Sequence, residues 1–348
     1  MPSTDVGRAT FVTVSEADSW RVTTEFYFLG LDSIVMSDAA RPLPVRVSRY
    51  LVAFFDYWLT GTAFSIFAKS WRFGLYFLYP FVVIVLFFLL ALLASSAALA
   101  FAGMNLPGAS ALIAFLAVFP LLATLGRRWS VTHLIDLWSF SQEYVRGRRP
   151  GAEALLERHA AIAAEATAAS QFDEILFVGH STGGGLILDM ASRTLDAAPD
   201  LARRAPEVSL LTLGSTALKF GLHPAGAAYR KRVQSLADEA QLKWSEFQCL
   251  TDVINFYKTN PLRDMGLKAR EHSSAFPIVR KIHLRDMLGK AAYARVRGRF
   301  FRVHYQFISA NRRKYYYDFF RICFGPVPTS AMRNDPLISV FPDREAAL

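Results

Sequence analysis

The chain has 348 residues, 53% of them hydrophobic and 20% charged, with 39 Lys and Arg against 29 Asp and Glu for a net charge of +10. That length suits one large domain or two ordinary ones, and the composition excludes a disordered chain, a collagen, a disulfide-stapled mini-protein and a many-span transporter. The hydrophobic excess is local: Phe73 to Gly126 contains no Asp, Glu, Lys or Arg, and 42 of its 54 residues are hydrophobic. Without that window the share falls to about 48%, ordinary for a soluble domain.

In chain order, Met1-Pro2-Ser3-Thr4-Asp5 lacks the basic-then-apolar pattern of a cleaved signal. Within residues 1–48, Ala9 to Val14 and Arg21 to Leu29 are strand-like. Residues 49–72 are crowded with aromatics (Tyr50, Phe54, Phe55, Tyr57, Trp58, Phe64, Phe67, Trp71) and few acids, which predicts an amphipathic segment at headgroup depth. The charge-free window, 73–126, is the length of two membrane spans at roughly 20 residues each. Asn105-Leu106-Pro107-Gly108 breaks it into a helix from about Leu75 to Phe101 and another from about Ala109 to Leu125.

Such a hairpin returns both ends to one side. Arg41, Arg46, Arg49, Lys69 and Arg72 precede it, Arg127, Arg128, Arg146, Arg148 and Arg149 follow it, and its turn is uncharged. The positive-inside bias then places both flanks in the cytoplasm, at the inner membrane of a cell. The two cysteines, Cys249 and Cys323, imply no disulfide framework and agree with a reducing compartment.

Residues 127–348 alternate helix and strand, which predicts a mostly parallel sheet flanked by helices, an α/β class with the transmembrane hairpin inserted ahead of it. Val131 to Val145 and Ala152 to Ser170 are helical in pattern; Glu174 to Val178 and Val208 to Leu213 are continuous apolar runs expected in strands buried on both faces. Between them stands Val178-Gly179-His180-Ser181-Thr182-Gly183-Gly184-Gly185, a G-x-S-x-G string with a strand before it and a helix after it. A serine at such a turn takes strained backbone angles and stands clear of its neighbours, so glycine is wanted at Gly179 and Gly183. The helix start aims Thr182 N–H at a developing oxyanion. Gly184 and Gly185 would allow close packing of helix on strand. The same glycines could form a dinucleotide turn, but a Tyr-x-x-x-Lys is missing downstream, as is the Gly-Lys-Ser/Thr of a phosphate loop.

The stretch from Phe172 to Gly214, with Leu211-Thr212-Leu213-Gly214-Ser215 at its end, resembles the elbow region of α/β-hydrolase-fold serine hydrolases, the lipases and esterases in particular. The resemblance implies Ser181 as nucleophile, an acid and then a histidine in that chain order, and no metal or organic cofactor. Asp252, just past the strand-like Trp244 to Asp252 run, is favoured as the acid, with Asp264 and Asp286 as alternatives. His304 is favoured as the base because it follows the last strand-like run, Ile278 to Leu284; His283, inside that run, and His272 are the alternatives. The family's His-Gly turn, source of a second oxyanion amide, is absent, so either the strands of 1–48 belong to an incomplete hydrolase sheet or the second donor comes from an unmarked loop.

The expected activity is cleavage of a carboxylic ester, lipid-like because the insert holds the elbow beside the bilayer. The rival is a catalytically impaired hydrolase scaffold that binds without turnover. The basic, aromatic region holding Arg295, Arg297, Arg299, Arg302, Arg312, Arg313, Lys314 and Tyr315 to Tyr317 is expected to face membrane headgroups or solvent, with no nucleic acid as partner.

Overall fold

The computed structural model describes residues 5–16, 19–269 and 276–334. Strands β1 (Val6–Ser15) and β2 (Trp20–Leu29) pair antiparallel as an isolated two-stranded sheet. They do not join the parallel sheet, which corrects the expectation that residues 1–48 supply its early strands. Their alternation of half-buried and exposed positions suits a ribbon lying on a surface, not a buried parallel strand.

Helix α1 (Asp32–Ala39) leads into α2 (Leu43–Leu59) and α3 (Thr62–Lys69), which are bent by 74° at Thr60 and Gly61. One face of this aromatic segment is fully buried through Tyr50, Tyr57 and Ile66, while Phe55, Leu59 and Phe64 stay exposed. Its inward face thus belongs to the protein core, and only the outward face is left for an interface with lipid. Arginines on this flank pair across to α6 (Val131–Val145): Arg46 to Asp136 at 2.6 Å and Arg49 to Glu143 at 2.6 Å.

Two helices are long and apolar enough to cross a membrane, α4 (Trp71–Phe101) and α5 (Pro107–Leu121), the latter continued by a π-turn over Leu122–Gly126. At 1.5 Å per residue the 31 residues of α4 reach about 46 Å, more than the roughly 30 Å of hydrocarbon. The surplus is the first turns, where Phe73, Tyr76, Phe77 and Pro80 are buried against the rest of the chain. Farther out, Leu93 and Phe101 are exposed, and the two helices are tied by Ser95 Oγ donating to the Ser110 carbonyl at 3.0 Å. Tyr79 Oη donates to the Trp129 carbonyl at 3.1 Å, setting two amphipathic aromatics at the foot of the hairpin.

After α6 and α7 (Pro150–Ala168) comes a four-stranded parallel sheet in the order β3 (Glu174–His180), β4 (Glu207–Leu213), β5 (Leu242–Cys249), β6 (Ile278–Ile282). It is flanked by α8 (Thr182–Ala197), α9 (Ala217–Gly221) and α10 (Ala227–Asp238). Strand β4 is buried along its whole length, as its apolar run predicts. Strand β3 instead alternates buried and half-buried residues, because it is an edge strand with one neighbour. Short helices complete the chain: α11 (Pro261–Asp264), α12 (Leu284–Leu288), α13 (Lys290–Val296), α14 (Phe300–His304) and α15 (Phe319–Phe324).

The sheet separates two apolar clusters. One runs without a break from α2, the foot of α4 and α6 to Phe177, Leu210 and Trp244; the other joins Leu211, Leu213, Phe247 and Ile282 to Val303, Phe307 and Tyr317. Tyr315 and Tyr317 are therefore core residues, which corrects their expected place on a headgroup-facing surface. Their rings fill the second cluster while Tyr317 Oη bonds the Phe307 carbonyl and Tyr316 Oη the Lys281 carbonyl.

Candidate active site

Ser181 sits between β3 and α8 with φ 59° and ψ −125°, one of four non-glycine residues with positive φ among the described residues. That strain is held from both sides: Ser181 N–H donates to the Leu213 carbonyl at 3.0 Å, and Thr216 N–H donates to the Ser181 carbonyl at 3.1 Å. A Cβ at Gly179 would lie 2.5 Å from the Gly183 carbonyl oxygen, so this glycine is sterically required. Gly183 differs from expectation, since a Cβ there meets nothing within 4 Å. The close packing falls on its successors: Gly184 against Ser215 and Gly185 against Phe220 of α9, with added Cβ atoms at 2.9 and 2.6 Å.

The acid and base expected from chain order come together. His304, at the end of α14, bonds Asp252 Oδ2 through Nδ1 at 2.7 Å, and both side chains are buried. Since a carboxylate accepts, Nδ1 donates in this bond, and Nε2 is the ring atom that can accept a proton whenever the imidazole is neutral. Nε2 is buried with no hydrogen-bond partner among the described residues. The ring lies against the end of β4, where a Cβ on Gly214, which has φ 51°, would stand 3.3 Å from His304 Cε1. No hydrogen bond joins Ser181 Oγ to Nε2 among the described residues.

Asp252 lies three residues beyond β5 in a loop clamped by Asn255. Asn255 Nδ2 donates to the carbonyls of Cys249 (2.9 Å) and Asp252 (2.6 Å), while Ile254 N–H donates to Asp252 Oδ1 at 2.9 Å. The alternatives go elsewhere. Asp264 pairs with Lys69 at 3.0 Å, Asp286 lies in the first turn of α12, and the His283 backbone N–H bonds Tyr315 Oη at 3.1 Å. His272 lies outside the described residues.

Several residues were not singled out by sequence. His180 donates from Nε2 to the His304 carbonyl at 3.1 Å and lays its ring 4.4 Å from the His304 ring. Burial, and then the neighbouring His304 ring, push the His180 pKa down to about 3, so it stays neutral. The acid loop also rests on the foot of α4, where Phe73 stacks on Phe256 and Arg72 bonds the Leu250 carbonyl. On the other flank Tyr79 of α4 meets Phe300 of α14 at 5.8 Å.

The arrangement presents a serine, an imidazole acceptor oriented by a carboxylate, and a helix N-terminus. No family model, no curated protein and no solved structure matches this chain. A cleft lined by Pro206, Leu210, Trp244, Arg280 and Ser330 opens at the other end of the strands. Ser181, Asp252 and His304 stand instead at the carboxyl ends of the strands, where parallel sheets gather their ligands and chemistry.

Proposed function

We propose that the chain is a membrane-anchored serine hydrolase of the α/β-hydrolase type that cleaves a carboxylic ester through an acyl-enzyme. The observation that carries it is the Asp252–His304 bond beside a serine held at φ 59° on a helix start. Ser181 Oγ attacks the carbonyl carbon as its proton passes to His304 Nε2, and Asp252 steadies the imidazolium. Thr182 N–H, in the first turn of α8, has no intrahelical carbonyl to bond and meets the oxyanion. The leaving alkoxide takes the proton from His304; water or another alcohol then accepts the acyl group.

A lipid-like ester is favoured because the foot of α4 packs against both the acid loop and the helix carrying the base. The positive flanks, by the positive-inside bias, favour the cytoplasmic face of the inner membrane for the site. One feature favours the non-catalytic scaffold instead: β3 is the sheet edge, so no neighbouring strand delivers a second oxyanion amide. A fluorophosphonate probe on the full chain in its membrane separates the two. Labelling of the wild type that disappears in Ser181→Ala supports the hydrolase; absence of labelling, or labelling that survives the substitution, rejects it.

A further inference from the structure

Lys219, in α9, is 3% exposed, and its Nζ donates to Thr182 Oγ1 at 3.3 Å. No carboxylate lies within ion-pair distance of it among the described residues; Nζ also lies over the ring faces of Trp138 (5.4 Å) and Phe220 (5.2 Å), and its charge is felt by His133. Burying an ammonium without an anion is costly, so buried lysines are normally paired. Its location adds to the cost. Thr182 opens the sixteen-residue α8, whose N-terminus is the positive end of a helix dipole and repels a cation. A buried amine and a free helix N-terminus thus converge on the residue that follows Ser181, with no carboxylate paired to the amine among the described residues.

An anion that exists only during reaction answers both. We propose that Lys219 Nζ is the second electrophile of the site, donating together with Thr182 N–H to the oxyanion formed when Ser181 attacks an ester carbonyl. This rests on the serine-hydrolase function proposed above. It also accounts for the edge position of β3: where no adjacent strand brings a second amide, a side chain from the segment after β4 takes its place.

The step balances without a further reactant. The Ser181 Oγ–carbon bond forms, the hydroxyl proton moves to His304 Nε2, and the carbonyl π pair becomes the oxygen lone pair that accepts from Lys219. No bond to Lys219 forms or breaks. Burial holds the Lys219 pKa down to about 7, and an oxyanion at hydrogen-bond distance pulls it back up, so the cation is most stable when the negative charge has developed.

The experiment uses the full chain in detergent micelles, with the fluorophosphonate labelling rate and Tm measured for the wild type, Lys219→Met and Ser181→Ala. Lys219→Met is expected to slow labelling by about 10²–10³, the usual effect of removing one oxyanion donor. Its Tm is expected to hold or rise, because an unpaired buried charge gives way to an apolar chain of similar volume. Lys219→Met labelled at the wild-type rate while Ser181→Ala is unlabelled overturns the role of Lys219 and leaves the hydrolase standing. A wild type that is not labelled overturns the hydrolase itself. A second measurement needs no variant: hydrolysis of 4-nitrophenyl butanoate against the 4-nitrophenyl half-ester of succinate. An oxyanion donor gives the neutral ester at least equal kcat/KM; a tenfold or greater preference for the anionic ester assigns Lys219 to a substrate carboxylate and overturns the proposal.

Discussion

The ring of Phe73, in the first turn of α4, stacks on that of Phe256, four residues after Asp252, with centroids 4.0 Å apart. Arg72 beside it bonds the carbonyl of Leu250, two residues before Asp252, so the foot of the apolar helix braces the acid loop on both sides. Phe73→Ala is expected to cost about 3–5 kcal/mol of stability and to slow probe labelling. Leu93→Ala, on the exposed outer part of the same helix, is the control and should change neither. Equal melting and labelling of the two variants would show that the foot of α4 does not support the loop.

Asp252→Asn keeps the shape of the loop but presents an amide to His304 Nδ1, favouring the wrong tautomer. Labelling of Ser181 should fall on the order of 10³–10⁴-fold with the circular dichroism spectrum unchanged. A variant as fast as the wild type would remove Asp252 from the mechanism.

His180 holds His304 in two ways, by a hydrogen bond to its carbonyl and by ring contact. His180→Phe retains the ring and loses the bond, which is worth about 1 kcal/mol, so roughly a tenfold or smaller loss in labelling rate is expected. His180→Ala loses both and should be slower still. If the two variants match each other and the wild type, the base is positioned by other groups.

Glu246 on β5 is 3% exposed, and burial raises its pKa from 4.5 to about 8 despite hydrogen bonds involving Thr212, Ser215 and Gln248. The folded chain therefore keeps this proton through neutrality, whereas the unfolded chain releases it near pH 4.5. More protons are bound in the folded state between those values, so this group's contribution to stability falls as pH rises from about 4.5 to about 8 and is level beyond. Glu246→Gln removes that dependence, and its Tm advantage over the wild type should widen from pH 5 to pH 8. A constant difference across that range would show that Glu246 does not titrate as described.

The hairpin, the strand-to-helix elbow and the pairing of Asp252 with His304 were legible because each follows from local pattern or chain order. Charge-free length marks the two long apolar helices, and glycine spacing marks the turn. What escaped is set by tertiary neighbours. Tyr315 and Tyr317 sit among arginines and read as surface, yet the second face of the sheet needs their rings. Lys219 has no distinguishing sequence context; its importance comes from Thr182 and Trp138, which reach it only in the folded chain. The clamp of Asn255 on the Asp252 loop did have a signal, an Asx residue three positions after the acid.

The first apolar cluster passes unbroken from the foot of α4 through α2 and α6 into the face of the parallel sheet. This fixes an order of events during synthesis. The ribosome delivers the hairpin before the strand carrying Ser181, and the helices that cover that strand share side-chain contacts with the hairpin's foot. If α4 and α5 insert in a membrane as proposed, insertion also sets the foot against which α2, α6 and that face of the sheet pack, so a chain that misses the membrane would leave this shared core, and with it the proposed serine site, without that support.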